Sequence, residues 1–176
     1  MQDMKRVVNT DAERVARAQA GDREAFTALV TDQYALILRV SLRMTGNRAD
    51  AEDVAHEACI KLARALPQYR GDAAFTTWLY RLVVNCAHDW RKSQRRHEHE
   101  ETTAASEPAA PESASSEVRL QQVLRQIETL GNEFLETVVL VIGEGLTHRE
   151  AGDALGVKES TISWRLHEIR RRLAGE

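Results

Sequence analysis

Ser160, Thr161, Ser163, Trp164, Arg165 and Arg170 occupy one side of a helical pattern near the C-terminus. Ile162, Leu166, Ile169 and Leu173 recur at helical spacing on the other side. Hydroxyls and guanidinium groups can donate and accept hydrogen bonds along base edges, and Arg165 could bind a guanine bidentately. Arg170, Arg171 and Arg172 form a cationic run suited to phosphate. This is the chemistry of a helix lying in the major groove of duplex DNA. An αα-hairpin with a solvated polar face would carry the same pattern.

A second constellation interleaves aromatic and polar groups. Phe75, Trp78, Tyr80 and Trp90 lie among Thr76, Arg81, Asn85, His88, Arg91, Lys92 and Arg95. Unstacked bases can stack on rings while cations follow the phosphates, so the set suits single-stranded nucleic acid. The stretch Gln68 to Ala74 could form a small pocket for one extruded base. Phe75 and Leu79 read as core anchors, and Trp78 fits either role.

The elements that must hold these groups follow from local signals. Thr147 is placed to cap a helix running to Leu155, and Gly156 supplies a turn residue tolerant of positive φ. Val157 leads into a second helix from Lys158. Gly152 would let the two helices cross closely, with Ile162 filling the angle between them. Together these make a helix-turn-helix. Upstream, the spacing predicts helices over Asp11–Ala20, Arg23–Met44, Ala49–Leu66 and Phe75 to about Arg96. Asp22 would cap the second and Pro67 would close the third. Val118–Leu130 and Glu133–Ile142 predict two more helices. No segment shows sustained strand alternation.

The net charge of −3 appears unsuited to nucleic acid until it is divided. Residues 1–96 carry 16 Lys/Arg and 12 Asp/Glu, a balance of +4. Residues 97–116 carry five Glu and no Lys/Arg, and residues 117–176 carry 8 Lys/Arg and 10 Asp/Glu. Local clusters meeting phosphates set DNA affinity, not the total. Residues 97–116 also hold two prolines and no large apolar residue, so they cannot build a core. The expected architecture is all-α: two small helical domains, 1–96 and 117–176, joined by a flexible linker over 97–116.

His97 and His99 have metal-pair spacing, but no Cys or further His completes a ligand set. Cys59 and Cys86 sit among apolar helical neighbours and read as buried thiols. No nucleophile–base pair, phosphate loop or metal cluster is apparent, so neither enzymatic activity nor a cofactor is expected. The N-terminus lacks a signal-peptide apolar core, and no apolar run approaches the ~20 residues that span a bilayer. These features predict a cytoplasmic protein.

DAEDVAHEACIKLARAL, then FTTWLYRLVVNCAHDWRKSQRR, then the linker and the helix-turn-helix resemble, in that order, the extracytoplasmic-function (ECF) group of bacterial sigma factors. The resemblance implies a dissociable initiation subunit with sigma regions two and four and no third domain between them. It implies core RNA polymerase as partner, through its largest and second-largest subunits, and control by an anti-sigma factor. It assigns Asp50, Asp53, His56, Glu57 and Ile60 to the polymerase contact. Spacing of three and four places Asp53, His56, Glu57 and Ile60 on one face, which could equally be a solvated acidic face. The resemblance assigns Thr76, Trp78, Arg81, Asn85, His88, Arg91, Lys92 and Arg95 to the single-stranded −10 element. It assigns Ser160, Thr161, Ser163, Trp164, Arg165, Arg170 and Arg171 to the −35 duplex.

Four positions depart from the family pattern. Ser163 and Trp164 stand where Lys or Arg and then Ser are common, and Glu168 stands where Arg is common. Gly152 replaces a usual Ala, which should loosen its helix by ~1 kcal/mol. Two other readings share parts of the pattern. A sigma mimic that titrates an anti-sigma factor could dispense with the basic readers that this chain keeps. A homodimeric helix-turn-helix repressor would need no strand-reading surface.

Overall fold

A computed structural model describes the backbone of residues 2–100 and 116–174. Among the described residues every regular element is helical. The order is α1 (Gln2–Gln19), α2 (Arg23–Thr45), α3 (Arg48–Ala65), a 3₁₀ turn (Leu66–Gln68), α4 (Phe75–Glu100), α5 (Ser116–Glu128), α6 (Asn132–Val138), a π turn (Val139–Gly143), α7 (His148–Leu155) and α8 (Glu159–Leu173). None of these helices is long and apolar enough to cross a membrane.

Local chemistry sets the helix ends. Asp22 accepts from the amides of Glu24 and Ala25, both at 3.0 Å, and starts α2. Those bonds hold the Asp22 carboxyl below its ordinary pKa, with help from Arg17. Gly46, at φ 82°, ends α2 in the left-handed region, and Asn47 then caps α3 by accepting from Asp50 N at 2.9 Å. The apolar faces of α2, α3 and α4 meet in a core that includes Leu29, Ile37, Met44, Leu62, Leu79 and Val83, all fully buried. Burying each such side chain contributes ~1.5–3 kcal/mol.

Helices α5 to α8 pack around Ile127, Leu135, Leu140 and Ile162. Thr147 and Glu150 form a reciprocal capping box at the start of α7. The Thr147 hydroxyl and amide hold the Glu150 carboxyl below its ordinary pKa. Gly156, at φ 69°, makes the turn into α8. A Cβ at Gly152 would lie 2.8 Å from Val157 O, so the turn backbone rests directly on this glycine. Ile162 is fully buried, as its place in the angle between the helices requires.

Several expectations are corrected. Helix α1 starts at Gln2 rather than Asp11, and α4 continues through residues 97–100. Ser116 already belongs to α5. Residues 101–115 lie outside the described residues, as do the side chains of His97 and His99. The helix expected over Glu133–Ile142 stops at Val138 and widens into the π turn, where Glu144 N donates to Val139 O at 3.0 Å. The two helical groups also touch each other. α4 packs against α7, α2 against the π turn, and the buried apolar residues of both groups form one contiguous cluster. Apolar surface on facing helices favours that docking wherever the connection permits it.

Candidate nucleic-acid and partner surfaces

On α3, Glu52, Asp53, His56 and Glu57 are exposed, while Ala51, Val54, Ala55 and Ala58 face the core. The acidic side is therefore exposed along one flank of the helix, with Glu52 paired to Arg48 at 2.8 Å. Asp50 is partly withdrawn from it, because its carboxylate accepts from the Asn47 side chain. Ile60 is half-buried at the edge of the same face. Lys61 at the end of this face bonds Asp89 at 2.7 Å and lies 3.9 Å from Glu57.

Between α3 and α4 lies an open groove of about 650 Å³ lined by Lys61, Arg64, Gln68, Trp78, Asn85 and Asp89, with Arg81 and His88 also on its wall. The sequence predicts the α4 side of this groove and, through Gln68, its loop end. Lys61 and Arg64 were missed, although their i, i+3 spacing on α3 puts them on one face. Trp78 is half-buried, and its ring packs on Tyr69 (centroids 5.2 Å apart) and Phe75 (5.8 Å). It is both a packing anchor and a groove wall. Thr76 is half-buried beside the loop after the 3₁₀ turn, where Tyr69 Oη donates to Ala73 O at 2.7 Å. That bond closes the loop.

Other α4 residues are engaged elsewhere. Arg91 is buried rather than exposed. Its guanidinium donates to Met44 O and to Asn132 Oδ1 (3.1 Å) and lies 3.5 Å from Glu128. It satisfies an orphan carbonyl at the end of α2, which explains its burial and corrects its reading as a strand contact. Arg81 donates Nε to Ala154 O at 3.0 Å and Nη2 to Asp153 O. His88 pairs with Glu136 of α6. Lys92 is exposed, and the side chain of Arg95 lies outside the described residues.

On α8 the outward face consists of Ser160, Ser163, Trp164, His167, Arg170 and Arg171. Ser160 stands at the exposed start of the helix, and Thr161 is half-buried beside it. Ser163 Oγ lies 2.9 Å from His148 Nδ1, tying the recognition face to the first turn of α7. Trp164 is 57% exposed and touches Phe134 along one side (centroids 6.0 Å apart), so it is not core. Arg165 turns inward instead. Its Nη1 reaches Glu133 O and Thr137 Oγ1, both at 3.4 Å, so in this conformation it does not present its fork to DNA. His167 was missed, yet it lies four residues after Ser163 on the open face.

Arg171 is not free for phosphate as expected. It donates Nε to Glu168 Oε2 at 3.0 Å and Nη2 to Oε1 at 2.8 Å, and Arg172 Nε joins at 2.6 Å. The Arg171 bonds first, then those of Arg172, lower the Glu168 pKa to about 2. Arg172 also lies over the Phe134 ring, 5.9 Å from its centroid. Arg170 stands exposed on the outward face of α8.

Cys86 is buried, as read from the sequence, whereas Cys59 is half-buried. Burial pushes the Cys86 thiol up to about 11, and Cys59 is raised for the same reason. Among the described residues no group of three or more His, Cys, Asp or Glu could hold a metal ion.

Residues 29–97 match the Sigma-70 region 2 family. The chain is 31% identical over 177 residues to the ECF RNA polymerase sigma-E factor of Escherichia coli K12, covering 93% of this chain and 92% of that one. It is 29% identical over 176 residues to the RNA polymerase sigma-H factor of Pseudomonas aeruginosa, covering 93% and 91%. Its fold is similar to that of CnrH in complex with the cytosolic domain of CnrY, with TM-score 0.69, 23% identity and coverage of 94% and 96%. It is also similar to the sigma factor RpoE in complex with the anti-sigma factor NepR from Bartonella quintana, with TM-score 0.66, 17% identity and coverage of 84% and 93%. A homodimeric repressor would share the helix-turn-helix but not this similarity along both helical groups, and the chain belongs to the ECF RNA polymerase sigma factors.

Proposed function

We propose that residues 1–96 bind core RNA polymerase and read the melted −10 strand, that residues 117–176 read the −35 duplex, and that residues 97–116 join them. The groove between α3 and α4 carries this reading. It is wide enough for a base, walled by Trp78 and Asn85, and bordered by the cations Lys61, Arg64 and Arg81. A ring and an amide suit an extruded base, and the cations suit its flanking phosphates. Asp53, His56 and Glu57 offer an acidic face to a basic polymerase element. On α8, Ser160, Ser163, Trp164, His167 and Arg170 form the face offered to the duplex.

The protein works by binding, with no catalytic group or cofactor of its own, in the cytoplasm where polymerase and chromosome lie. An anti-sigma factor controls it. Both surfaces are accessible to such a partner, and the sigma factor RpoE, of similar fold, is described in complex with the anti-sigma factor NepR. Run-off transcription with purified core polymerase on a promoter library tests the whole reading. The expected result is start-site-specific transcripts that require the chain and share −35 and −10 elements. Transcripts identical with and without the chain would overturn it.

A further inference from the structure

Glu144 follows the π turn, and its side chain is 1% exposed. A buried carboxylate without partners would be strongly destabilising. Here its partners all come from the other helical group. Arg39 donates Nε to Oε1 at 2.9 Å and Nη2 to Oε2 at 2.5 Å. Arg43 Nη1 donates to Oε1, and Tyr80 Oη donates to Oε2 at 3.1 Å. Burial, then the adjacent Glu144 charge, raises the Tyr80 pKa, which keeps the phenol a donor. Two further features serve the contact. The π turn's wide hydrogen bond swings the chain toward α2, and a Cβ at Gly143 would lie 3.0 Å from Arg43 Nη1. The backbone is shaped to bring this carboxylate to these cations.

The same docking occupies groove residues. Arg81 is held by the last carbonyls of α7, and His88 by Glu136. We propose that Arg39, Arg43 and Tyr80 form an anion receptor for Glu144 that latches the free chain closed, with Arg81 and His88 withdrawn from the strand they would read. This rests on the proposed reading of the groove. Promoter recognition then requires the latch to open, because the groove cannot take a strand while its Arg81 and His88 are held by α7 and α6. Salt weakens the exposed half of the Arg39 pair and favours opening.

The test uses the full chain without polymerase, in small-angle scattering at physiological salt. The closed parent should show a radius of gyration of about 16 Å, the value for a compact chain of this length. Glu144→Gln should shift the closed–open equilibrium toward open by about tenfold to a hundredfold, the range for losing hydrogen bonds to a charged group. Its radius should rise while its helical circular dichroism stays unchanged. Tyr80→Phe removes one hydroxyl and should shift it the same way by less. It decides the matter if Glu144→Gln loses helicity. With core polymerase, Glu144→Gln should form open complexes faster than the parent. An unchanged radius in both variants, or a parent already extended, would overturn the latch. Failure of promoter melting by every variant, alongside the expected scattering change, would instead overturn the reading of the groove.

Discussion

Arg81 of α4 caps the carbonyl end of α7 through Ala154 and Asp153, so a residue lining the groove between α3 and α4 also closes the first helix of the helix-turn-helix. A guanidinium there also complements the partial negative charge at the helix end. One side chain thus serves two arrangements that exclude each other. Arg81→Ala should loosen the closed chain and also weaken −10 strand reading. Scattering should show a larger radius of gyration, and permanganate footprinting should show less promoter melting. Full melting by the variant would remove Arg81 from the reading surface.

Charge reversal on α3 should break the polymerase contact without harming the fold. Asp53 and Glu57 are exposed and make no contact with the core. Asp53→Lys with Glu57→Lys should weaken holoenzyme formation by a few kcal/mol, because like charges then meet across the interface. Co-elution with core enzyme, compared with thermal melting of the free variant, separates binding from stability.

Arginines of the C-terminal run should differ in their contribution to DNA binding. Arg170→Ala should lower the salt slope of holoenzyme binding to −35 duplex by about one counterion. Arg171→Ala should change it less, because Glu168 already holds that guanidinium with two bonds. In a Glu168→Gln background the Arg171→Ala effect should grow toward that of Arg170→Ala. Equal slopes for both single variants would mean that DNA displaces Glu168 without cost.

Gly152→Ala should destabilise the helix-turn-helix despite restoring a better helix former. The gain in helix propensity is ~1 kcal/mol. The added Cβ would sit 2.8 Å from Val157 O, a backbone atom that cannot move without shifting the turn. Overpacking of this kind costs ~1–3 kcal/mol, so the net change should be a lower melting temperature.

Glu136 and Glu168 should respond oppositely to neutralisation. Burial raises the Glu136 pKa more than His88, Arg165 and Arg91 lower it. A carboxyl with a raised folded pKa favours the folded form below its unfolded pKa. That contribution is lost as pH rises through the folded value. Glu136→Gln should therefore stabilise the docked form at neutral pH and flatten its pH dependence above about 4.5, the ordinary glutamate value. Glu168 runs the other way. Its stabilisation is present above the ordinary 4.5 and is lost as pH falls toward about 2. Urea melts of the two Gln variants across pH should show slopes altered in these separate windows.

The sequence alone determined the helices and their punctuation. Asp22, Asn47, Thr147, Gly46 and Gly156 act through bonds or dihedrals within one turn of the chain, so their roles can be read locally. The α8 face was equally legible, because a period of 3.6 residues separates Ile162, Leu166 and Ile169 from Ser160, Ser163 and Trp164. Only the tertiary structure decided which polar groups on those faces are engaged. Arg91 reads as a surface cation until the end of α2 leaves Met44 O beside it, and Arg165 until α6 offers Glu133 O. The pairing of Glu144 with Arg39 spans 105 residues, and no local pattern encodes it. A cap is fixed by neighbours in sequence. An ion pair between helices depends on where packing places each carboxylate and guanidinium, which the apolar faces of both modules settle together.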